Sequence, residues 1–148
     1  MRYHQGKWQP KNPAKYVGDV NAIYFRSSWE LRLLVWLDSN PSILKYASEE
    51  LVIPYISPVD NRPHRYFVDF LVQYKTSGGD IKKAMIEVKP HAQTLMPEKK
   101  RKSDKKFLVE MQTYAVNQAK WAAARVWAAK NGWDFWVFDE YSLGIKKR

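Results

Sequence analysis

Three charged residues stand within or at the end of apolar stretches of strand-forming segments. Asp69 interrupts Phe67-Val68-Asp69-Phe70-Leu71, and Glu87 and Lys89 close the run Ile81 to Lys89. A carboxylate inside an apolar strand is costly unless something pairs with it. Glu87 and Lys89 are two apart, so on a strand they project from one face while Val88 points the other way, into the core. A hard cation, Mg2+ or Mn2+, would satisfy Asp69, Glu87 and the backbone at Glu87–Val88 together, because such ions take oxygen ligands, often one or two carboxylates completed by water and substrate phosphate. Lys89 would then position or deprotonate an attacking water. The competing reading is a cross-strand salt bridge of Asp69 or Glu87 with Lys89.

Glu30 is a third candidate. It stands three residues after Ser27, where it would close a capping box at the start of a helix. It also shares a helix face with Leu33, Leu34 and Leu37, so it should point toward the sheet, where a further carboxylate would serve a hydrated-metal or two-metal site.

The elements that must hold these residues are readable in order. The first 23 or so residues, polar and aromatic with Gly6, Pro10, Pro13 and Gly18, predict an extended arm packed down through Trp8 and Tyr16. A helix is predicted from Ser27 to about Asp38, stopped by Ser39-Asn40-Pro41. Ile43 to Tyr55 predicts one strand, or a bent pair around Ala47-Ser48. Tyr66 to Tyr74 and Ile81 to Lys89 predict two further strands. A long helix follows from about Ser103 to Asn131, with Phe107, Met111, Tyr114, Ala115, Gln118, Ala122 and Val126 at helical spacing, and Trp133 to Phe138 predicts a last strand. Trp121, Trp127, Trp133 and Trp136 are most simply core residues. The order helix, three strands, helix, strand implies an α/β fold: a mixed sheet flanked by helices, with an antiparallel meander followed by a strand–helix–strand crossover.

The turn between the two charged strands carries a geometric condition. A two-residue turn at Gly78-Gly79 would place Asp69 opposite Val88 and send it to the wrong face. A three-residue loop, Ser77-Gly78-Gly79, pairs Thr76 with Asp80 and sets Asp69 opposite Glu87. A shared metal therefore requires an odd-length loop, or a bulge along the ladder.

The bulk composition sets the class. The chain has 148 residues, 45% hydrophobic, which suits one domain over 1–148 with its own core. Its formal net charge of +10 implies an anionic partner, nucleic acid before others. With no cysteine, disulfides, zinc thiolates and cysteine nucleophiles are excluded. No secretory h-region and no apolar run of about 18 residues is present, so a soluble protein with no membrane role is expected, intracellular or carried in a particle assembled inside a cell.

Glu30 on a first helix, Asp69 on a strand and Glu87-Val88-Lys89 on the adjoining strand resemble the signature of the PD-(D/E)xK nuclease superfamily, with Val68 where the signature has proline. The order of elements resembles the restriction-endonuclease-like core of that superfamily. A closer likeness runs along nearly the whole chain. Tyr3-His4-Gln5-Gly6-Lys7, Asn12 to Asp19, Arg26-Ser27-Ser28-Trp29-Glu30, Ala47-Ser48-Glu49-Glu50, Ile53 to Asp60 and His64 to Phe70 are similar to the head-completion proteins of large tailed phages. The core of that family resembles the endonuclease subunit of certain transposons. The resemblance implies a Mg2+- or Mn2+-dependent deoxyribonuclease with Glu30, Asp69, Glu87 and Lys89 as catalytic residues. It implies a role in completing phage heads after DNA packaging, beside head, portal or neck proteins, in the host cytoplasm or on the virion. Some superfamily members carry a Gln and a Tyr on the long helix near the metal; here Gln112 and Tyr114 are the counterparts, although Tyr114 also fits a core aromatic.

Other residues are candidates for DNA contact. His64 and Arg65 precede the Asp69 strand, and His91 follows Lys89-Pro90; Lys99, Lys100, Arg101 and Lys102 form a basic cluster that could be a solvated loop or a phosphate contact. His64, His91 and His4 could each serve as a catalytic base, although they are isolated and fit no metal-ligand spacing. Two alternatives to the nuclease reading stand: a non-enzymatic, DNA-binding head or neck component that keeps the fold, and a recombination- or transposition-type endonuclease.

Overall fold

Ser27 opens the first helix as predicted. In a computed structural model describing residues 5–147, its hydroxyl accepts from the Glu30 N–H at 3.2 Å, satisfying one of the donors a helix start leaves unpaired. Helix α1 runs Ser28–Ser39. It lays Leu33, Leu34 and Leu37 against Phe70, Val72, Ala84 and Ile86.

Before it, the arm is more structured than an extended segment. Strands β1 (Gly6–Lys7) and β2 (Tyr24–Phe25) pair antiparallel, and Pro13–Lys15 forms a 3-10 turn. Tyr16 is buried and Trp8 packs beside it, as the aromatic anchors predicted. Charge and hydrogen bonds fasten the arm as well. Asp38 accepts from the backbone of Lys11 at 3.0 Å and of Asn12 at 3.2 Å and from the buried Tyr46 hydroxyl at 2.8 Å. Lys15 Nζ donates to the carbonyls of Leu37, Asp38 and Asn40 at 2.8, 2.9 and 3.0 Å. A cation on the last carbonyls of a helix satisfies orphan acceptors and meets the negative end of its dipole. His4 lies outside the described residues.

The predicted strands are present but two of them break. Ile43 to Tyr55 divides into β3 (Ile43–Ser48) and β4 (Val52–Ile56), with the break at 49–51, slightly beyond the expected bend. Tyr66 to Tyr74, read as one strand, divides at Val68-Asp69 into β5 (Pro63–Phe67) and β6 (Phe70–Lys75). The two breaks face each other. The antiparallel pairing that joins Ser48 to Phe70 resumes with Val52 opposite Phe67, so one extra residue sits on the first strand. Glu49, at φ 56°, takes the left-handed conformation, its N–H donates to Asp69 O, and Val68 N–H donates to Leu51 O. This is a bulge: it bends the ribbon and frees the Asp69 side chain from the regular ladder. Hydrophobic patterning does not announce such a break.

The main sheet orders β3-β6-β7-β8, where β7 is Ile81–Val88 and β8 Asp134–Phe138. β3, β6 and β7 form the antiparallel meander, and β7 pairs parallel with β8 across helix α2 (Asp104–Asn131). Ser103 caps α2 through the Lys106 N–H, and Gly132, at φ 71°, ends it in the left-handed position that glycine tolerates. Alternation along β7 divides the core. Ala84, Ile86 and Val88 bury toward α1, while Met85 joins Ile53, Tyr66, Val68 and Trp121 on the α2 side. Trp121 is a core residue, and Trp127, Trp133 and Trp136 pack partly buried at its edges. Among the described residues no helix is long and apolar enough to cross a membrane.

Candidate active site

The loop between β6 and β7 decides whether the two carboxylates meet. Lys75 pairs with Ile81, and Thr76 N–H donates to Asp80 O at 2.8 Å. The loop is therefore Ser77-Gly78-Gly79, an odd length, with Gly79 at φ 89°. Continuing the ladder from Phe70 opposite Ile86 sets Asp69 opposite Glu87, on the α2 face.

Each carboxylate is held by a specific donor. Asp69 Oδ2 accepts from the Val88 N–H at 2.8 Å. Glu87, buried, accepts a short hydrogen bond from the Tyr66 hydroxyl, and Lys89 Nζ lies 3.5 Å from its other oxygen. Val88, expected to lend its backbone to a metal, is seen lending its N–H to Asp69. Lys89 N–H is itself tied to Phe138 O at 2.9 Å, so β8 fixes the backbone that carries the lysine.

Proton affinities record how much negative charge is packed here. Burial, and then the charge of Glu87, push the Asp69 carboxyl well above its ordinary range, against the Val88 hydrogen bond. Burial also raises Glu87, opposed by Lys89, the Tyr66 hydroxyl and Lys120. Burial raises the Tyr66 phenol, with Glu87 adding to it, so Tyr66 stays a donor. Two carboxylates that desolvation and mutual repulsion drive toward protonation are a donor set that a hard divalent cation would relieve. Among the described residues no three Asp, Glu or His side chains close into a cage. Asp69 and Glu87 would thus be the protein ligands, leaving the other positions to water and phosphate, the pattern usual for Mg2+.

Glu30 serves the helix and borders the site. Its Oε2 accepts from the Arg26 N–H at 3.0 Å, a variant of the capping box in which the bond returns to the residue before the cap. Burial raises its carboxyl, and Glu49 and Glu87 add to that. Glu30 is therefore within electrostatic reach of the pair. Arg26, ion-paired with Glu49 at 3.0 Å, balances part of this acidic edge.

Two site residues escaped the sequence reading. Tyr66 looked like one aromatic of a strand. Lys120 lay on a helix far along the chain, and its ammonium sits 5.7 Å from the centre of the Tyr66 ring and 6.0 Å from that of Tyr55. Only the packing of α2 on β4 and β5 brings it to Glu87.

The remaining candidates are elsewhere. His64 Nε2 is 2.8 Å from Asp60 Oδ2 in the β4–β5 hairpin, and Arg65 stacks on the exposed Phe67. His91 is bound to Asp139 at 3.1 Å and, through its N–H, to Glu140 at 2.9 Å, which fastens the chain just beyond Lys89. Gln112 is exposed on α2. Lys99, Lys100 and Lys102 pair with Asp104, Glu98 and Glu110, and Arg101 is exposed.

Comparison with known proteins agrees with this architecture. Residues 40–140, from just before β3 to just after β8, match the family described as TnsA-like endonuclease N terminal. Over 144 residues the chain is 40% identical to a protein named head completion nuclease from Enterobacteria phage T4, covering 95% of this chain and 93% of that one. The chain therefore belongs to the TnsA-like endonuclease family, together with that head completion nuclease.

Proposed function

We propose that this protein is a divalent-metal-dependent deoxyribonuclease that hydrolyses phosphodiester bonds, and that it acts on packaged DNA during phage head completion. The observation that carries the reading is the facing pair Asp69 and Glu87, with Lys89 beside it, on a strand end backed by the family match. The surrounding +10 chain supplies the field that draws a polyanion to it.

The residues divide the work. Asp69 and Glu87 would hold Mg2+ or Mn2+, which when bound supplies Lewis-acid stabilisation of charge on the phosphoryl oxygens. Val88 N–H and the Tyr66 hydroxyl each hold one of the two carboxylates, which limits the reorganisation needed at reaction. Lys89 holds the attacking water or a phosphate oxygen. Glu30 adds a carboxylate at the edge where a second water or cation would sit. The relative named head completion nuclease supports head completion as the setting; head, portal or neck proteins would then be the partners, in the host cytoplasm or on the virion.

The test is cleavage of supercoiled and linear DNA in Mg2+, Mn2+ or EDTA, wild type against Glu87→Gln. Cleavage should need the cation and fall by orders of magnitude in the variant while DNA binding persists. Full activity in EDTA, or in Glu87→Gln, would refute the assignment.

A further inference from the structure

A buried amide on α2 has no partner among the described residues. Asn117 is 5% exposed, and among the described residues no hydrogen bond to its side chain is seen; the little surface it keeps faces a cavity that it lines. One turn on, the Trp121 indole Nε1–H is buried without an acceptor among the described residues. Polar groups left this way inside a fold call for a ligand or for water.

Asn117 lines a cavity of about 600 Å3 between α2 and the segment that follows Lys89. Leu95, Met96 and Val109 form much of its wall, all three exposed, and Lys100 and Lys102 stand at its side, ion-paired with Glu98 and Glu110, which also line it. Trp121 lines an adjoining cavity of about 330 Å3, and Tyr114 is a wall of both. The volume suits a planar group of nucleobase size with room for its sugar. The site also opens beside the candidate nuclease centre. Asn117 and Lys120 are separated by about 4.5 Å along the helix axis, and Lys120 lies over Tyr66, whose hydroxyl binds Glu87.

We propose that this cavity receives one unpaired nucleobase of the DNA strand being cut, recognised by Asn117. The Watson–Crick edge of each base sets a donor beside an acceptor, and a carboxamide offers the complementary pair. Leu95, Met96 and Tyr114 supply the apolar and aromatic surfaces against which an extruded base packs. The neighbouring lysines suit the flanking phosphates. An edge used this way must be free of its pairing partner, so the site favours frayed ends, single strands or an extruded base. The inference rests on the DNA nuclease reading, and names the part of the substrate held next to the reacting bond.

The probe is 2-aminopurine, placed in turn at each position around the cleavage point in oligonucleotides bound to the full chain in EDTA. DNA binding is followed separately by anisotropy. One position should brighten at least about threefold on binding to wild type, as a base leaving its stack does. Asn117→Leu, close in volume, should abolish that signal and weaken binding roughly tenfold, the loss of one bidentate contact. Val109→Trp, on the exposed wall, should fill the cavity and do the same, and decides the matter alone if Asn117→Leu does not fold. DNA that is bound and cut with 2-aminopurine silent everywhere would overturn the proposal. So would an unchanged signal in both variants, which would leave the cavity to a side chain of a protein partner. A wild type that neither binds nor cuts DNA would remove the nuclease reading itself, and this inference with it.

Discussion

Asp69→Asn should make the metal-free protein more stable. Asp69 is bound to the Val88 N–H, next to Glu87, and the Glu87 charge is among the groups that raise its carboxyl. Two unit charges about 5 Å apart repel by roughly 3 kcal/mol at an effective dielectric of about 20. Lys89, 3.5 Å from Glu87, offsets part of this. Asparagine keeps a carbonyl that can accept from the Val88 N–H, the hydrogen bond the Asp69 side chain makes. A net gain of about 1–2 kcal/mol follows, or roughly 3–8 °C in Tm for a domain this size. The pH dependence gives the signature. Burial and Glu87 hold the Asp69 carboxyl well above its ordinary value of 3.8. Below that value both folded and unfolded chains are protonated and the penalty is absent. It grows as pH rises toward the elevated folded value, and it is complete above it. Unfolding by urea or heat in EDTA from pH 4 to 8 should therefore show the two proteins equal at the acid end and the variant ahead at neutral pH. Added Mg2+ should raise wild type more than the variant, because a ligand stabilises only the state that binds it. A variant equal to or weaker than wild type at pH 8 in EDTA would refute the account of an unrelieved carboxylate pair.

Glu30→Gln should leave thermal stability within about 0.5 kcal/mol, since glutamine also accepts from Arg26 N–H, yet slow DNA cleavage at least about tenfold through loss of the charge beside the pair; calorimetry beside a cleavage assay separates the two. Changing Lys99, Lys100, Arg101 and Lys102 to serine should weaken DNA binding at every sequence and flatten its dependence on salt, measured by anisotropy titrations at several ionic strengths; an unchanged slope would assign these residues to their acidic neighbours alone. Lys15→Met removes the cation from the three carbonyls at the end of α1 and should cost about 1–2 kcal/mol in urea unfolding.

What was legible in the chain was local. Ser27 three residues before Glu30, the apolar face of α1, Ser103 and Gly132 around α2, and alternation along Ile81 to Val88 each act within a few residues, so short-range rules located those elements closely. Even the odd-length loop that a pairing of Asp69 with Glu87 requires was readable, because a loop of three residues fixes register by counting. The break at Val68-Asp69 was not. It exists because Glu49, on another strand, takes a left-handed conformation and inserts an extra residue opposite it, and no pattern along Tyr66 to Tyr74 encodes what its neighbour does. The same holds for the donors around the pair. Tyr66 reaches Glu87 only after the bulge bends β5 away from the main sheet, and Lys120 reaches Tyr66 only once α2 has packed across β4 and β5. Residue type and spacing determined which groups could do chemistry here; the long-range packing of α2 and the bent ribbon decided which of them stand together, because side chains distant in sequence become neighbours only when the core has closed.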